Sequence, residues 1–326
     1  MTEHSDWQAT ASLKALRLRA DCLSRIRSFF DERTVLEVET PLLSQYGTTD
    51  PHIDSLRVSS SYQDQTRYLH TSPEFAMKRL LATGSGPIYQ ICKVFRDAEI
   101  GRRHNPEFTL LEWYRPGFDQ NALMAEVEAL VRQLLATDME LAETLSLRYT
   151  EAFERYLGID PLAATVETLA QLASEYGIDI EMDSDEAQRD DWLDLLISQV
   201  IEPQLPKQQP VFITHFPASQ ASLARLDPSD ARFAHRFELY LGGMELANGF
   251  HELTDPTEQA LRFQAERAQR REAGKWDVPE DQHLLAALQQ GLPDSAGVAL
   301  GLDRLLMLAL GSDDIADVIA FPFERA

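Results

Sequence analysis

The sequence has few cysteines, few basic residues and no long apolar run, and each shortage excludes a class of protein. Two cysteines, Cys22 and Cys92, are too few for a disulfide framework or a cysteine-ligated metal cluster. No apolar segment approaches the ~20 residues of a membrane-spanning helix. Residues 1–12 also lack the basic and apolar regions of a signal peptide. These features predict a protein of the reducing cytoplasm.

Positive charge is scarce, with 30 Lys and Arg against 53 Asp and Glu and a formal net charge of −23. Such a surface repels phosphate backbones, which disfavours extended nucleic-acid binding. Small anionic ligands held by a few arginines remain compatible with it. The sequence also lacks internal repeats and the glycine-rich phosphate loops of the Walker and dinucleotide types. Its 44% apolar and 25% charged residues are typical of a folded globular chain.

Hydrophobic periodicity and turn residues predict helices and strands in mixed order. In TSPEFAMKRLLATG we expect a helix with Ser72 at the N-cap, Pro73 at its first position and Gly84 after its end. Further helices are predicted over 11–33, 119–201 and 257–275, and strands over 35–43, 88–96, 108–115, 210–217, 236–253 and the start of 297–311. We therefore predict an α+β fold with a mostly antiparallel sheet flanked by helices. It would be one domain, 1–326, with a helical insertion at 119–205.

Arginines and carboxylates recur on these predicted strands. A guanidinium fork matches two phosphate oxygens, and paired carboxylates suit Mg²⁺, which also takes phosphate oxygens. Together they indicate nucleoside triphosphate chemistry on an antiparallel sheet. The three clusters are Arg96 with Asp97, Glu99 and Arg102; Glu238 and Glu245 with Glu252; and Arg304 after Gly301 and Asp303.

Each of these residues also has a purely structural interpretation. Arg96 could pair with Asp97 or Glu99 on the surface, and Glu238 and Glu245 could face water at a sheet edge. Ser72 and Pro73 could simply begin a helix, Phe108 and Tyr114 could be core residues, and Arg304 could pair with Asp303. Their joint occurrence favours the functional interpretation.

Three segments resemble the motifs of class II aminoacyl-tRNA synthetases, and of lysyl-tRNA synthetases in particular. FDERTVLEVETPLL, with Pro41, looks like motif 1; FRDAEIGRRHNPEFTLLEWY looks like motif 2; GVALGLDRLLMLALG looks like motif 3. FELYLGGMELANGFHELTD is similar to the metal-binding and amino-acid-binding strands of the lysyl enzyme. The resemblance covers about residue 11 to the end and implies the class II catalytic fold, ATP and Mg²⁺ as cofactors, and a homodimer formed through motif 1.

The resemblance also implies roles at the nucleotide. Arg96 would contact the α-phosphate and Arg304 the γ-phosphate as the catalytic residues, with Mg²⁺ at Glu238 and Glu245. Phe108 would stack on adenine with the Arg304 side chain on the other face. The other nucleotide-binding positions that carry over are Asp97, Ala98, Asn105, Glu245, Leu246 and Gly301.

TSPEFAMKRLL, HFPASQASLA and GVALGLDR look most like a truncated group within this family, the bacterial ligases of elongation factor P. That likeness implies activation of (R)-β-lysine as an adenylate, transfer to a lysine side chain of elongation factor P, and no charging of tRNA. The implied substrate contacts are Ser72, Pro73, Glu74, Tyr114, Asn248, Glu252 and Ala299. Ala299 stands where the lysyl-tRNA synthetases have glycine, and we expect its methyl group to favour the β-amino isomer.

Two departures from the lysyl enzyme stand out. We expect no anticodon-binding module, because the catalytic motifs begin almost at residue 11. Lysyl enzymes also have Arg-Asn-Glu where this chain has Arg96-Asp97-Ala98, so either the Ala98 backbone or the Glu99 side chain would meet adenine. Competing hypotheses are a non-catalytic paralogue and another free-standing amino-acid ligase, such as an asparagine synthetase of this fold. The retained arginines and metal carboxylates oppose the former, and Glu74 and Glu252 oppose the latter.

Overall fold

The computed structural model describes residues 7–61, 65–178 and 189–326. Its helices are α1 (Leu13–Asp31), α2 (Glu74–Ala82), α3 (Gln120–Leu135), α4 (Tyr149–Leu157), α5 (Val166–Glu175), α6 (Arg189–Leu196), α7 (Glu202–Gln204), α8 (Pro256–Glu272), α9 (Gln282–Gln290) and α10 (Leu302–Leu310). Its strands are β1 (Leu36–Glu37), β2 (Leu43–Ser44), β3 (Arg57–Ser60), β4 (Gln65–Leu69), β5 (Ile88–Phe95), β6 (Glu107–Pro116), β7 (Leu145–Arg148), β8 (Val211–Pro217), β9 (Phe233–Leu241), β10 (Met244–His251) and β11 (Ser295–Gly301). None of the described helices is long and apolar enough to cross a membrane.

The chain divides into two compact units. The first unit comprises Met1–Asp138 with Glu252–Ala326, and the second comprises Met139–His251. The predicted single domain therefore stays a prediction. The predicted insertion 119–205 includes residues 179–188, which lie outside the described residues. Elsewhere that segment is mostly helical, but it also contains the strand β7, which the sequence analysis missed.

In the first unit, four strands lie in the order β1, β5, β6, β11. β1 pairs parallel to β5, whereas β5, β6 and β11 pair antiparallel. The predicted hairpin of the motif 2 segment is confirmed, and its first ladder pair is Phe95 with Glu107. A separate three-stranded antiparallel sheet has the order β2, β4, β3.

Helix α1 covers one face of this hairpin. Its Phe30 ring stacks on Tyr89 of β5 with centroids 4.4 Å apart and meets Trp113 of β6 edge-on. Tyr89 and Trp113 are register partners, so their side chains share a face. The neighbouring residue Glu112 therefore points to the opposite face of the sheet. That alternation leaves one face for the core and one face for a site.

A buried carboxylate connects helix α1 with the motif 2 and motif 3 segments. Asp303, at the start of α10, accepts a 2.6 Å hydrogen bond from the backbone N–H of Thr109 in β6 and pairs with Arg19 of α1. Arg19 also donates to the Val318 carbonyl at 2.7 Å. Helix α10 then ends at Gly311, which adopts a left-handed φ of 71°. The strand-to-helix prediction for the motif 3 segment is confirmed.

In the second unit, four strands lie in the order β10, β9, β8, β7. The predicted turn between β9 and β10 is confirmed at Gly242 and Gly243, whose φ angles of 66° and 73° favour glycine. Tyr149 of α4 stacks on Phe153 and also packs on Phe216 of β8, which anchors this helix to the sheet. Both units carry mostly antiparallel strands with helices packed on them, which confirms the predicted fold class.

The start of α2 differs from the prediction by one residue. Pro73 is the N-cap, with φ −77° and ψ 0°, and Glu74 is the first helical residue. Ser72 precedes the cap, and its hydroxyl accepts a 3.0 Å hydrogen bond from the Glu74 N–H. The predicted N-cap role of Ser72 is therefore wrong. The Ser72 hydroxyl also donates to Glu112, which is 40 residues further along the chain, and this tertiary contact explains why Ser72 lies before the cap.

Candidate active site

A buried cluster of carboxyl groups lies in the first unit. We call it the carboxylate cluster, and its members are Glu74, Lys78, Glu112, Tyr114 and Glu252. Helix α2 supplies two members, β6 supplies two, and the loop before α8 supplies the fifth. Buried charges are costly unless they are paired, so a cluster of this kind indicates a site for a positively charged ligand.

Helix α2 positions the cationic member. Glu74 and Lys78 are four residues apart, which places them on one side of the helix, and Lys78 Nζ lies 2.6 Å from Glu74 Oε1. The same ammonium lies 2.6 Å from Glu252 Oε2. Burial lowers the pKa of Lys78, but the charges of Glu252 and Glu74 outweigh it and raise the pKa above its usual value. Lys78 is therefore a cation at neutral pH.

Glu112 is held in the middle of strand β6. Its Oε1 accepts a 2.8 Å hydrogen bond from the Tyr114 hydroxyl, and its Oε2 accepts one of 2.8 Å from the Ser72 hydroxyl. Burial raises the pKa of Glu112 to about 8, and the nearby charge of Glu74 acts in the same direction. Burial therefore favours the protonated form of Glu112 at neutral pH.

Strand β11 keeps the space next to the cluster open. Gly297 pairs with Tyr114 and Ala299 with Glu112, so these side chains share one face. A Cβ on Gly297 would lie 2.2 Å from Tyr114 Cε1 and 2.5 Å from Glu252 Oε1. The predicted substrate contact Ala299 thus lies beside Glu112, and its methyl group limits the room on this face.

The loop between β5 and β6 carries the predicted phosphate and adenine contacts. The Arg96 guanidinium lies over the Phe108 ring, 5.1 Å from its centroid, and 3.5 Å from Glu99 Oε1. The predicted pairing of Arg96 with Glu99 is thus present. Arg96 Nε is buried and has no hydrogen-bond partner among the described residues. A buried, unmatched donor on a guanidinium suits an anionic ligand.

Asp97 and Ala98 are fixed by backbone contacts. The Asp97 N–H donates to the Asp54 carbonyl at 2.8 Å, and the Ala98 N–H donates to Asp97 Oδ1 at 3.0 Å. Ala98 has a φ of 61°, a left-handed conformation that is uncommon for alanine. Asp54 is itself held by the buried Arg270 at 2.7 Å. The loop backbone is therefore anchored from outside the hairpin, and both the Ala98 and the Glu99 alternatives stay predictions.

Two other nucleotide candidates make contacts within the first unit. Asn105 is buried, donates to the Glu107 carbonyl at 2.6 Å and accepts from the Phe323 N–H at 2.9 Å. Its side chain therefore holds the loop and the C-terminal segment together. Arg304 Nη2 lies 2.9 Å from His104 Nε2, so the guanidinium reaches the same loop. Gly301 ends β11 directly before α10.

The second unit holds the predicted metal ligands. In the β9–β10 pair, Glu245 lies opposite Tyr240 and Asn248 opposite Glu238, so these side chains face one side of the sheet. Glu238 is buried, which contradicts the interpretation of a water-facing edge residue. Leu246, the next residue after Glu245, is buried as well. Asn248 Oδ1 accepts no hydrogen bond from the described part of the chain.

The donor set at these two glutamates fits Mg²⁺. Burial raises the pKa of Glu238 to about 7, and the negative charge of Glu245 acts in the same direction. A divalent cation would relieve this repulsion, and Mg²⁺ is commonly held by one or two carboxylates together with substrate phosphates. Across the described ranges, no group of three or more His, Cys, Asp or Glu side chains is arranged to hold a metal ion. Arg236, 2.5 Å from Glu238 Oε1, and the Tyr240 hydroxyl fix the carboxylate.

The structure adds three residues that the sequence analysis missed. Glu112 could have been noticed because it interrupts the apolar strand FTLLEWY. Lys78 lies between the buried residues Met77 and Leu81, where a lysine breaks the apolar side of α2. From Gly297 onward, small residues in β11 alternate with the larger Val298 and Leu300. This alternation indicates that one face of the strand carries only small side chains.

Most of the predicted substrate residues are brought together within the first unit. The predicted residues that lie around Glu112 are Ser72, Glu74, Tyr114, Glu252 and Ala299. Pro73 is the N-cap of α2 beside them. Among the nucleotide candidates, Arg96 and Phe108 are in contact. Glu238, Glu245, Leu246 and Asn248 belong to the second unit.

Comparison with known proteins identifies a family and a group of relatives. Residues 2–325 match the model of the tRNA synthetases class II (D, K and N). A protein named elongation factor P–(R)-β-lysine ligase from Edwardsiella ictaluri is 51% identical over 330 residues, with 100% of both chains covered. A relative with the same name from Vibrio atlanticus is 51% identical over 327 residues, which cover 99% of this chain and 100% of the relative. Another from Salmonella paratyphi B is 51% identical over 330 residues, with 100% of both chains covered.

Proposed function

Since the chain belongs to the class II tRNA synthetase family of the D, K and N type, we propose that it activates (R)-β-lysine with ATP and transfers it to elongation factor P. Its relatives are ligases, and this chain is an enzyme of the same class. The acceptor would be the ε-amino group of one lysine of the factor. The observation that carries the proposal is the buried carboxylate cluster, together with full-length likeness to ligases of that name.

The cluster suits an amino acid with a second amino group. (R)-β-Lysine has two ammonium groups and one carboxylate, so its recognition needs acceptors for positive charge. Glu74 and Glu252 offer carboxylate oxygens as acceptors. Glu112 and Tyr114, which are hydrogen-bonded to each other, offer further polar groups beside them. An apolar amino acid in this place would leave the excess negative charge of these carboxylates unbalanced, which costs affinity.

In the first step, the substrate carboxylate attacks the α-phosphorus of ATP, an adenylate forms and pyrophosphate leaves. The two anions repel each other, so positive groups at the phosphates lower the barrier. Arg96 would contact the α-phosphate and Arg304 the γ-phosphate end, and Phe108 would stack on adenine. Mg²⁺ held by Glu238 and Glu245 would neutralise phosphate charge.

In the second step, the ε-amino group of the acceptor lysine attacks the adenylate carbonyl. An amide bond forms, AMP leaves, and the attacking nitrogen loses a proton. The chain would not charge tRNA, because its net charge of −23 repels an RNA backbone. Aminoacylation of purified lysine tRNA at a rate comparable with transfer to the factor would contradict this part of the proposal.

We also propose that the protein is a homodimer through the surface of the motif 1 segment. Leu36 and Leu43 are 56% and 47% exposed, and both lie in this segment. Clustered exposed apolar side chains are typical of interaction surfaces. Light scattering should give twice the chain mass, and Leu36→Lys with Leu43→Lys should shift it to the monomer; a monomeric wild type would contradict the proposal.

ATP–pyrophosphate exchange tests the amino-acid assignment. The panel would contain (R)-β-lysine, α-lysine, asparagine and aspartate, with Arg96→Ala as the inactive control. We expect the highest kcat/KM for (R)-β-lysine and exchange near background for asparagine and aspartate. Exchange with none of the four amino acids would indicate a non-catalytic paralogue.

A further inference from the structure

The carboxylate cluster contains its own cation. Lys78 Nζ lies 2.6 Å from Glu74 and 2.6 Å from Glu252, the two carboxylates proposed to meet the substrate amino group. The Lys78 side chain is only 2% exposed. A lysine so fully buried loses its hydration, and the two carboxylates replace it. Two carboxylates and one ammonium leave these three residues with one negative charge.

That charge matches one incoming ammonium group. Without Lys78, two adjacent buried carboxylates would repel each other, and one of them would be driven to take up a proton. The pocket would then keep its overall charge but would have one ionised acceptor in place of two. With Lys78 present, Glu74 and Glu252 share one ammonium group and are held in fixed positions.

We propose that Lys78 is a positioning residue for amino-acid recognition, whose ammonium bridges Glu74 and Glu252 and so prepares them for one ammonium group of the substrate. The inference rests on the proposed function and adds a residue that acts on the substrate through the two glutamates. A purely structural salt bridge is the alternative. Buried ion pairs contribute little stability compared with apolar side chains of similar volume, so stability alone is a weak reason for a lysine here.

Lys78→Met tests the role, because methionine has a similar length and no charge. In pyrophosphate exchange we expect the KM for (R)-β-lysine to rise about tenfold to about a hundredfold, the range for losing a hydrogen bond between charged groups. The KM for ATP should change by less than about twofold, because the ion pairs that the described residues make with Lys78 involve Glu74 and Glu252 and no nucleotide candidate. Lys93→Met is the matched control: its ammonium lies 3.6 Å from Glu107, and both side chains are over 40% exposed.

A second variant keeps the test decisive if Lys78→Met does not fold. Glu74→Gln with Lys78→Met removes one charge of each sign, so the cluster keeps a net charge of −1. If Lys78 acts through the glutamates, the double variant should have a KM for (R)-β-lysine within about threefold of Glu74→Gln alone. A KM for (R)-β-lysine in the double variant more than about tenfold above that of Glu74→Gln alone would overturn the inference.

The outcomes separate this inference from the function on which it rests. If the wild type activates no amino acid that carries a second amino group, the proposed function fails, and the inference fails with it. If the wild type is active and Lys78→Met leaves the KM for (R)-β-lysine unchanged, only the inference fails. An equal rise in both KM values would also overturn it, because that result indicates a general structural defect.

Discussion

The Tyr114 hydroxyl donates a 2.8 Å hydrogen bond to Glu112, a carboxylic acid in the interior of a strand. Burial raises the pKa of Glu112 to about 8, and the charge of Glu74 acts in the same direction, so the protonated form is favoured at pH 7. This relationship explains how several acidic residues share one small site. It also gives the site a dependence on pH that can be measured.

Glu112→Gln should remove part of the pH dependence of stability. Because the folded pKa of Glu112 is about 8 and the ordinary value is 4.5, the folded protein binds more protons than the unfolded chain between these values. The free energy of unfolding therefore falls as pH rises through that window. As the pH rises from 5 to 8, the free energy of unfolding of Glu112→Gln should increase relative to that of the wild type by on the order of 1–3 kcal/mol.

Urea unfolding at pH 5, 6, 7 and 8 measures this difference. Glu99→Gln, the same substitution in a partly exposed glutamate of the nucleotide loop, is the matched control. A difference between Glu112→Gln and the wild type that stays constant from pH 5 to pH 8 would show that Glu112 is ionised in the folded protein.

Gly297→Ala should damage both stability and amino-acid binding. The new Cβ would lie 2.2 Å from the Tyr114 ring, closer than atoms can approach, so Tyr114 or the strand must move. We expect a loss of about 1–3 kcal/mol in thermal or chemical unfolding. Gly101→Ala is the control, since its Cβ would lie 3.7 Å from His104. Equal effects of the two substitutions on stability would contradict the assignment of a close contact.

Ala299→Gly should shift activation toward α-lysine. Ala299 pairs with Glu112 on the open face of β11, so removal of its methyl group enlarges the space beside the cluster. A pocket difference of this size is worth about 1–3 kcal/mol in relative kcat/KM. Pyrophosphate exchange with both isomers measures the ratio. Ala296→Gly, on the opposite face, should leave it unchanged, and an unchanged ratio in Ala299→Gly itself would refute the specificity argument.

Asp303→Asn should destabilise the first unit. The substitution removes the negative charge that pairs with Arg19 and leaves a mostly buried cation unmatched. We expect a loss of about 3 kcal/mol in the free energy of unfolding. Asp313→Asn provides the comparison, since the Asp313 pair with Arg102 is over 70% exposed and should contribute less than about 1 kcal/mol. A small effect at Asp303 would mean that helix α1 and the motif 2 and motif 3 segments are held together by other contacts.

The long elements of the fold could be predicted from sequence because they follow local rules. The hairpin of β5 and β6 has strand-like residues on both sides of a polar loop, and the Gly242-Gly243 turn needs positive φ angles. The strand β7 is only four residues long and pairs parallel with β8, a partner more than 60 positions away. Nothing in so short a segment indicates such a partner, and this is why it was missed.

Candidates such as Arg96 and Glu238 could be chosen from the sequence because the residue type alone indicates chemistry, and their roles stay predictions. Contacts between distant segments could not be predicted. Ser72 has the pattern of a helix cap, yet its hydroxyl meets Glu112 from another element. Lys78 has the pattern of an ordinary helical lysine, and only the position of Glu252 makes it part of the site.

The central claim is transfer of (R)-β-lysine to elongation factor P, and intact-protein mass spectrometry tests it most directly. The purified protein would be incubated with ATP, Mg²⁺, (R)-β-lysine and the factor, with Arg304→Ala as the inactive enzyme and a factor lacking the acceptor lysine as the second control. We predict that the mass of the factor rises by one β-lysyl group with the wild type and does not change in either control. An unmodified factor, in the presence of an enzyme that exchanges pyrophosphate with (R)-β-lysine, would contradict the account.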